Sequence, residues 1–402
     1  MPPTTGTAPL PHDLLARICS FLPPGDAVLT VPCLNKALAA AAAPRIADVW
    51  EEMAAAKEEE RDQTWINGCV GHTTFSVPLW ALQEAWPNLR GRRRWLAASR
   101  AAFHGDLAVL RWALAKLGAA DTLYCNAAAA GGQLEALQCA RALGCPWSTE
   151  TCEQAAGGGH LAVLQWARAQ EPPCPWYVST CWAAAAGGHL AVLQWARAQD
   201  PPCPWDRMTC STAARGGHLG VLQWARAQEP PCPWDKWICW RAAGRGHLAV
   251  LQWARAQDAP CPWDKWICWR AAGRGHLAVL QWARAQDPPC PWDEDTCKAA
   301  AKGGHLPVLQ WARAQQPPCP WDKWICWRAA GRGHLAVLQW ARAQDPPCPW
   351  DEDTCKAAAK GGHLPVLQWA RAQQPPCPWN WRDCIYLANA ATTKWIRAQA
   401  AL

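Results

Sequence analysis

Residues 292–316, WDEDTCKAAAKGGHLPVLQWARAQQ, hold one complete copy of the unit from which most of this chain is built. Asp293 precedes a run of small residues and is placed to cap a first helix, which a Gly-Gly pair ending at Gly304 closes. A second helix opens at Leu306, with a proline in its first turn and a broad apolar face. Pro317 stops that helix. The segment predicts a helix, a turn, a second helix and a proline-rich loop.

The unit returns at a fixed spacing of 29 residues, marked by the pair Gly-His followed by Leu. The histidines of this column are His160, His189, His218, His247, His276, His305, His334 and His363. A constant period of this size is typical of stacked repeats, in which each unit buries its apolar face against its neighbours. We therefore predict an all-α fold, an α-solenoid of stacked helix-turn-helix repeats with a small helical module at the N-terminus.

The repeated stretch at residues 300–309, AAKGGHLPVL, resembles the ankyrin repeat, and Cys297 stands where that family usually has leucine. The resemblance covers residues 99–402, with atypical first units, a C-terminal cap from about residue 377 and Thr392 at the histidine position of the cap. It implies a helix pair in each repeat and a partner surface on the concave face, formed by the loops and first helices. The repeats are shorter than the family's usual length of about 33 residues, which places the loss in the loop.

The composition favours a folded chain that is neither a membrane protein nor secreted. Half of the 402 residues are hydrophobic, 18% are charged and the net charge is +7, below the usual footprint of a nucleic-acid-binding domain. Apolar runs are too short for a membrane span, and the residues after Met1 lack the pattern of a secretion signal. We expect a cytoplasmic protein, with the nucleus as the alternative, and therefore reduced cysteines.

Two observations bear on chemistry. Cysteine and histidine recur as Cys-x6-Cys-x7-His, for example at Cys290, Cys297 and His305, but zinc usually takes four ligands with closer pairs. Small buried cysteines and a histidine at the turn explain the pattern, so we expect no metal and no cofactor. No nucleophile–base pair or phosphate-binding loop is evident either, which predicts that the chain is not an enzyme.

Tryptophan is unusually frequent, with 32 residues against 3 each of Phe and Tyr. We expect Trp311 and its equivalents to fill the space between repeat layers, and the Trp of Cys-Pro-Trp to fold over the loop. Three repeats carry Trp-Ile-Cys-Trp at the start of the first helix, and these aromatics are either a binding surface or extra packing. The residues we predict to contact a client protein are Trp237, Arg241, Trp266, Arg270, Trp324 and Arg328.

Arginine forms a second column, on the second helices. Its members are Arg168, Arg197, Arg226, Arg255, Arg284, Arg313, Arg342 and Arg371. A solvated ladder, partly paired with acidic loop residues, is one interpretation, and a basic stripe for nucleic acid or an acidic peptide is the other.

The N-terminal segment resembles the F-box, a short helical module that docks on an Skp-type adaptor of a ubiquitin ligase. The residues that carry the resemblance, and that would contact the adaptor, are Leu10, Pro11, Leu14, Leu15, Ile18, Phe21, Leu22, Pro23 and Pro24. Several of them recur at helical spacing and form one apolar face. The alternative is an apolar cap on the repeat array. We assign residues 1–45 to this segment and residues 46–98 to a charged helical linker.

These features predict a protein–protein interaction scaffold without enzymatic activity. The repeats would bind a client protein, and the N-terminal segment would bring it to the ligase adaptor. The alternatives are an ankyrin-type binding scaffold with no link to ubiquitin, and a nucleic-acid binder. We expect no membrane partner.

Overall fold

The computed structural model describes residues 79–89, 91–118, 120–257 and 260–400. The adaptor-binding residues predicted between Leu10 and Pro24 lie outside this range, as do the predicted F-box-like segment and most of the predicted linker. The chain divides into two compact bodies, one ending at Thr209 and the other beginning at Cys210.

In the N-terminal body, a short helix Leu79–Ala85 and a 3-10 turn Trp86–Asn88 precede the repeats. The first helices of the repeats are Gly91–His104, Thr122–Ala130, Thr149–Gly157 and Val178–Gly187. The second helices are Leu107–Leu117, Leu134–Ala142, Leu161–Arg168 and Leu190–Arg197. The helix Gly91–His104 begins before residue 99, where the sequence places the start of the repeats. The helix Arg207–Gly216 contains the point at which the two bodies divide.

The C-terminal body continues the same alternation of helices. Its first helices are Trp237–Arg245, Lys265–Gly273, Glu294–Gly303, Trp324–Ala330, Glu352–Gly361 and Trp381–Leu387. Its second helices are Leu219–Arg226, Leu248–Arg255, Leu277–Arg284, Leu306–Arg313, Leu335–Arg342, Leu364–Arg371 and Ala390–Ala400. The prediction of an all-α fold of stacked helix-turn-helix repeats is confirmed, and the described residues contain no β-strand.

The residues predicted to begin and end the first helix do so in the structure. The Asp293 carboxylate accepts a hydrogen bond from the backbone N–H of Asp295, which satisfies one of the free donors at the helix start. Gly304 ends the helix in the left-handed conformation, at φ +75°, and its N–H donates to the carbonyl groups of Ala300 and Ala301. The second helix starts two residues later.

Small residues set the packing between repeats. Each first helix contacts the first helix of the next repeat within its body as well as the second helix of its own repeat. Cys297, Ala300 and Ala301 are buried on the first helix, and Leu309 is buried on the second. Because these side chains are short, neighbouring first helices approach closely and the core continues from one repeat to the next.

Two expectations about individual residues are corrected. Trp311 is half-buried, and the apolar space of its helix is filled by Val308, Leu309 and Ala312 instead. In the C-terminal repeat Asn389, not Thr392, takes the place of the histidine, because Gly362 lies against Asn389 as Gly333 lies against His363 in the repeat before it. The deletion in this repeat falls in the first helix and turn, which shifts the register by three residues.

No helix among the described residues is long and apolar enough to cross a membrane.

Candidate functional site

The Gly-His column links neighbouring repeats. His276 Nε2 lies 3.3 Å from the carbonyl oxygen of Gly244, which belongs to the end of the preceding repeat's first helix. A carbonyl oxygen only accepts, so Nε2 carries the proton and donates. Burial lowers the pKa of His276, which keeps the ring neutral and suited to this bond. Equivalent contacts join His160 to Ala130, His189 to Gly157, His247 to Arg215, and His334 to Lys302.

The same imidazole ring covers a glycine of the preceding repeat. Gly246 has a φ of +77°, and a Cβ atom at this position would lie 2.7 Å from Nδ1 of His276. The histidine therefore needs a glycine in the preceding repeat, and this contact between repeats accounts for the constant spacing of the Gly-His pair along the chain. Within the described part of the chain, no three His, Cys, Asp or Glu side chains converge as a metal site would require. That the array binds no metal stays a prediction.

The two cysteine columns are buried, and the described cysteines form no disulfide. Cys268 Sγ donates to the carbonyl oxygen of Cys290 at 3.9 Å, and Cys290 Sγ donates to that of Asp264 at 3.5 Å. The hydrogen bond to Cys290 and burial together raise the pKa of Cys268 far above its usual range. A protonated, buried thiol is a poor nucleophile and a poor metal ligand, so Cys268 serves packing.

The arginine column of the second helices has a structural role that the sequence did not reveal. Arg284 Nη1 donates to the carbonyl oxygen of Cys290 at 2.7 Å, and its guanidinium carbon lies 4.4 Å from the ring centre of Trp292. Trp292 in turn contacts Trp311 of its own repeat edge-to-face, with ring centres 5.8 Å apart. Among the described residues, none of these arginines pairs with an acidic loop residue, as one of the two interpretations of the sequence had it. Each arginine instead donates a hydrogen bond to a carbonyl group of the proline-rich loop and stacks on the tryptophan of that loop.

This arrangement recurs in both bodies. The other described arginines that donate to a loop carbonyl and lie over a loop tryptophan are Arg141, Arg168, Arg197, Arg226, Arg255, Arg313, Arg342 and Arg371.

The predicted client-binding tryptophans lie at the starts of three first helices and are partly exposed. The exposed fractions are 39% for Trp237, 39% for Trp266 and 40% for Trp324. The second tryptophan of the motif varies between copies, because Trp240 is only 8% exposed and Trp269 is 36% exposed. Trp240 Nε1 donates to the Asp264 carboxylate at 2.8 Å, and Asp264 also caps the next first helix.

Sequence reasoning missed this bond between repeats. A donor side chain and an acidic residue 24 positions later are paired in the same way at Trp182 and Asp206, and at Asn126 and Glu150. The recurring spacing is the signal that would have revealed the contact.

The predicted arginines flank these tryptophans. The Arg270 guanidinium carbon lies 5.8 Å from the ring centre of Trp240, and that of Arg328 lies 5.0 Å from Trp327. Arg241 Nε is buried and makes no hydrogen bond to the described residues. Burial and the positive charges of Arg215 and Arg270 lower the pKa of Arg241. The structure thus brings Trp237, Arg241, Trp266 and Arg270 together on adjacent repeats and leaves Trp324 and Arg328 on another.

No protein-family model matches the sequence, and no curated protein matches it. Among solved structures, the chain is similar to the pentatricopeptide repeat protein PPR10 in complex with an 18-nt psaJ RNA element, at 13% identity and a TM-score of 0.36. That match covers 97% of this chain and 62% of the other. It is also similar to the pentatricopeptide repeat protein PPR10 from maize, at 13% identity and a TM-score of 0.27, with 85% and 55% covered. The chain therefore spans about three fifths of the length of these proteins, which are helical repeat proteins like this one.

Proposed function

We propose that this chain is a protein-recognition scaffold of the ankyrin type, without enzymatic activity. Its repeats bind a client protein through the Trp- and Arg-bearing ends of the first helices. The observation that carries the proposal is the exposure of Trp237, Trp266 and Trp324 at positions where packing does not require an aromatic residue.

A comparison between repeats supports this reading. The position of Trp324 is taken by Asp295 in the repeat before it and by Ser179 in the N-terminal body, and both of those repeats form the same helix pair. Tryptophan at this place is therefore not needed for the fold. Large exposed aromatics beside arginine are the residues most often found at the energetic centres of protein interfaces.

The basic stripe that would serve a nucleic-acid binder is less well supported. The eight arginines of the column from Arg168 to Arg371 are held by loop carbonyl groups and by tryptophan rings, so their geometry is already determined within the protein. Protein recognition by the first helices remains the better account of the exposed aromatics.

The first experiment is selection of binders from a random peptide library displayed on phage. We expect wild-type protein to enrich peptides that bind more weakly, by about tenfold or more, to the triple variant Trp237→Ser/Trp266→Ser/Trp324→Ser. The matched control is Gln252→Ser/Gln281→Ser/Gln339→Ser, which changes exposed residues of the second helices of the same three repeats. Equal binding to all three proteins would remove the proposed surface.

We also propose that the F-box-like segment docks on an Skp-type adaptor, which would couple the client to a ubiquitin ligase. The support is the sequence resemblance from Leu10 to Pro24. Co-purification with the adaptor should be lost in Leu14→Asp/Ile18→Asp, while the peptides selected above still bind. Equal recovery of the adaptor by wild type and variant would leave a binding scaffold with no link to ubiquitin.

A further inference from the structure

One stretch of sequence, DKWICWRAAGRGHLAVLQWARAQD, occurs three times in the C-terminal body, at residues 235–258, 264–287 and 322–345. The first two, which we call the tandem copies, lie in adjacent repeats. The third, which we call the solitary copy, lies between two repeats that carry the sequence DEDTCKAAAK instead. The same sequence therefore has different neighbours in the tandem and solitary copies. Any difference between their surfaces must come from those neighbouring repeats.

The tandem copies form a continuous aromatic cluster. The ring centres of Trp237 and Trp240 are 4.8 Å apart, those of Trp240 and Trp266 are 6.4 Å apart, and those of Trp266 and Trp269 are 5.4 Å apart. The middle contact crosses from one repeat to the next, so it depends on two neighbouring copies. The solitary copy has the pair Trp324 and Trp327, at 5.4 Å, and its neighbours supply charged residues in place of further rings.

The charge around the two surfaces also differs. Residues 235–246 and 264–275 contain six cations and two carboxylates, and Arg215 adds to them near Arg241. The repeats on either side of the solitary copy begin with three acidic residues each. The repeat after the tandem copies begins with the same three acids, and Asp293 binds Lys265 at 2.7 Å as Asp351 binds Lys323 at 2.7 Å, so the difference lies in the preceding repeat. There Lys298 binds Asp322 of the solitary copy at 3.1 Å. The tandem surface is basic, and the solitary one is close to balanced.

The orientation of the rings indicates which kind of partner fits. The planes of Trp237 and Trp240 meet at 69° and those of Trp266 and Trp269 at 81°, so the rings do not present parallel faces on which successive bases would stack. Lys236 Nζ lies 4.6 Å from the ring centre of Trp240 and covers it. Indoles that meet edge to face form clefts suited to apolar side chains, and guanidinium groups beside them suit carboxylates.

We propose that the tandem copies are the main client site, and that the segment they bind is an acidic peptide with apolar anchor residues. The inference rests on the proposed protein-recognition function and specifies its place and chemistry. The apolar anchors lie against Trp237, Trp266 and Trp269, and the carboxylates of the peptide pair with Arg241 and Arg270. The solitary copy lacks both the shared cluster and the excess of positive charge, and it contributes little.

The test is fluorescence anisotropy of the whole chain with a labelled synthetic peptide in which Asp and Glu alternate with Leu and Phe. We expect Trp266→Ser and Arg270→Ala each to weaken binding by about tenfold or more, since both lie at the centre of the surface. The same changes in the identical sequence of the solitary copy, Trp324→Ser and Arg328→Ala, should weaken binding much less, by about twofold. Gln281→Ser, which changes an exposed residue of a second helix, is the control that should leave the affinity unchanged. The same peptide with Asn and Gln in place of its acids should not bind.

Each other outcome is decisive. Equal losses from the tandem and solitary variants would overturn the role of adjacency. Displacement of the peptide by oligo-deoxythymidine at lower concentration than by unlabelled peptide would assign the surface to single-stranded nucleic acid. If the acidic peptide does not bind while phage selection still yields Trp-dependent peptides of another composition, the proposed chemistry fails and protein recognition stands. If selection also yields none, both fail.

Discussion

Replacing Gly246 by alanine is expected to lower the free energy of unfolding of the C-terminal body by about 2–5 kcal/mol. The backbone at this position has a φ of +77°, which an L-residue adopts only at a cost. The new Cβ atom would also lie 2.7 Å from Nδ1 and 3.0 Å from Cε1 of His276. To make room the ring must shift, and the bond from its Nε2 to Gly244 is then weakened. Urea denaturation followed by circular dichroism measures the change.

Gly220 provides the control for this substitution. It lies within the helix Leu219–Arg226, where most other repeats have alanine, and a Cβ atom there would meet nothing within 4 Å. Gly220→Ala should therefore raise the free energy of unfolding by about 0.5–1 kcal/mol, because alanine favours helix more than glycine does. A loss of stability at Gly220, or none at Gly246, would contradict the role we assign to the Gly-His contact.

Replacing Arg284 by alanine should lower the free energy of unfolding by about 2–4 kcal/mol. The variant loses the charged hydrogen bond to the carbonyl oxygen of Cys290 and the stacking of the guanidinium on Trp292. Arg284→Lys should recover only part of this, since an ammonium group has no planar face to stack and cannot donate in the same geometry. Urea unfolding followed by tryptophan fluorescence should show a lower midpoint for Arg284→Ala. The fluorescence of the folded variant should also differ from that of wild type, because Trp292 loses the guanidinium group that lies over its ring.

Gln281 is the matched control for Arg284. It lies on the same helix and is exposed, so Gln281→Ala should change stability by less than about 0.5 kcal/mol. If Arg284→Ala behaves like Gln281→Ala, the arginine column is a solvated ladder after all and the stacking contributes nothing measurable. If Arg284→Lys is as stable as wild type, charge alone accounts for the contact.

Much of the fold follows from local patterns. Asp293 caps a helix, Gly304 ends one and Pro317 follows one because each acts through its own backbone or that of its near neighbours, which are visible in a short stretch of sequence. The apolar spacing of Val308, Leu309 and Ala312 likewise reports one face of a single helix. Burial of the small residues on the first helices was also foreseeable, since a helix pair of this size has no core without its neighbours.

The candidate site was foreseen in part. The sequence marked Trp237, Trp266 and Trp324 as alike, because their surroundings in the chain are identical. The structure gives them different neighbours. Trp266 lies beside Trp240 of the preceding repeat, whereas the repeat that precedes Trp324 begins with three acidic residues. The role of Trp240 was missed since its partner, Asp264, is 24 residues away and belongs to another repeat.

The sequence by itself determined the class of this protein: the period, the helix pair in each repeat, the turn between the helices and the loop that ends the unit. These depend on interactions within a few residues, which sequence patterns record directly. Only the tertiary structure decided what the repeated columns do. His276, Arg284 and Trp240 act on groups in a neighbouring repeat or in the loop that leads to it, and a period shows that such contacts recur without showing which atoms meet.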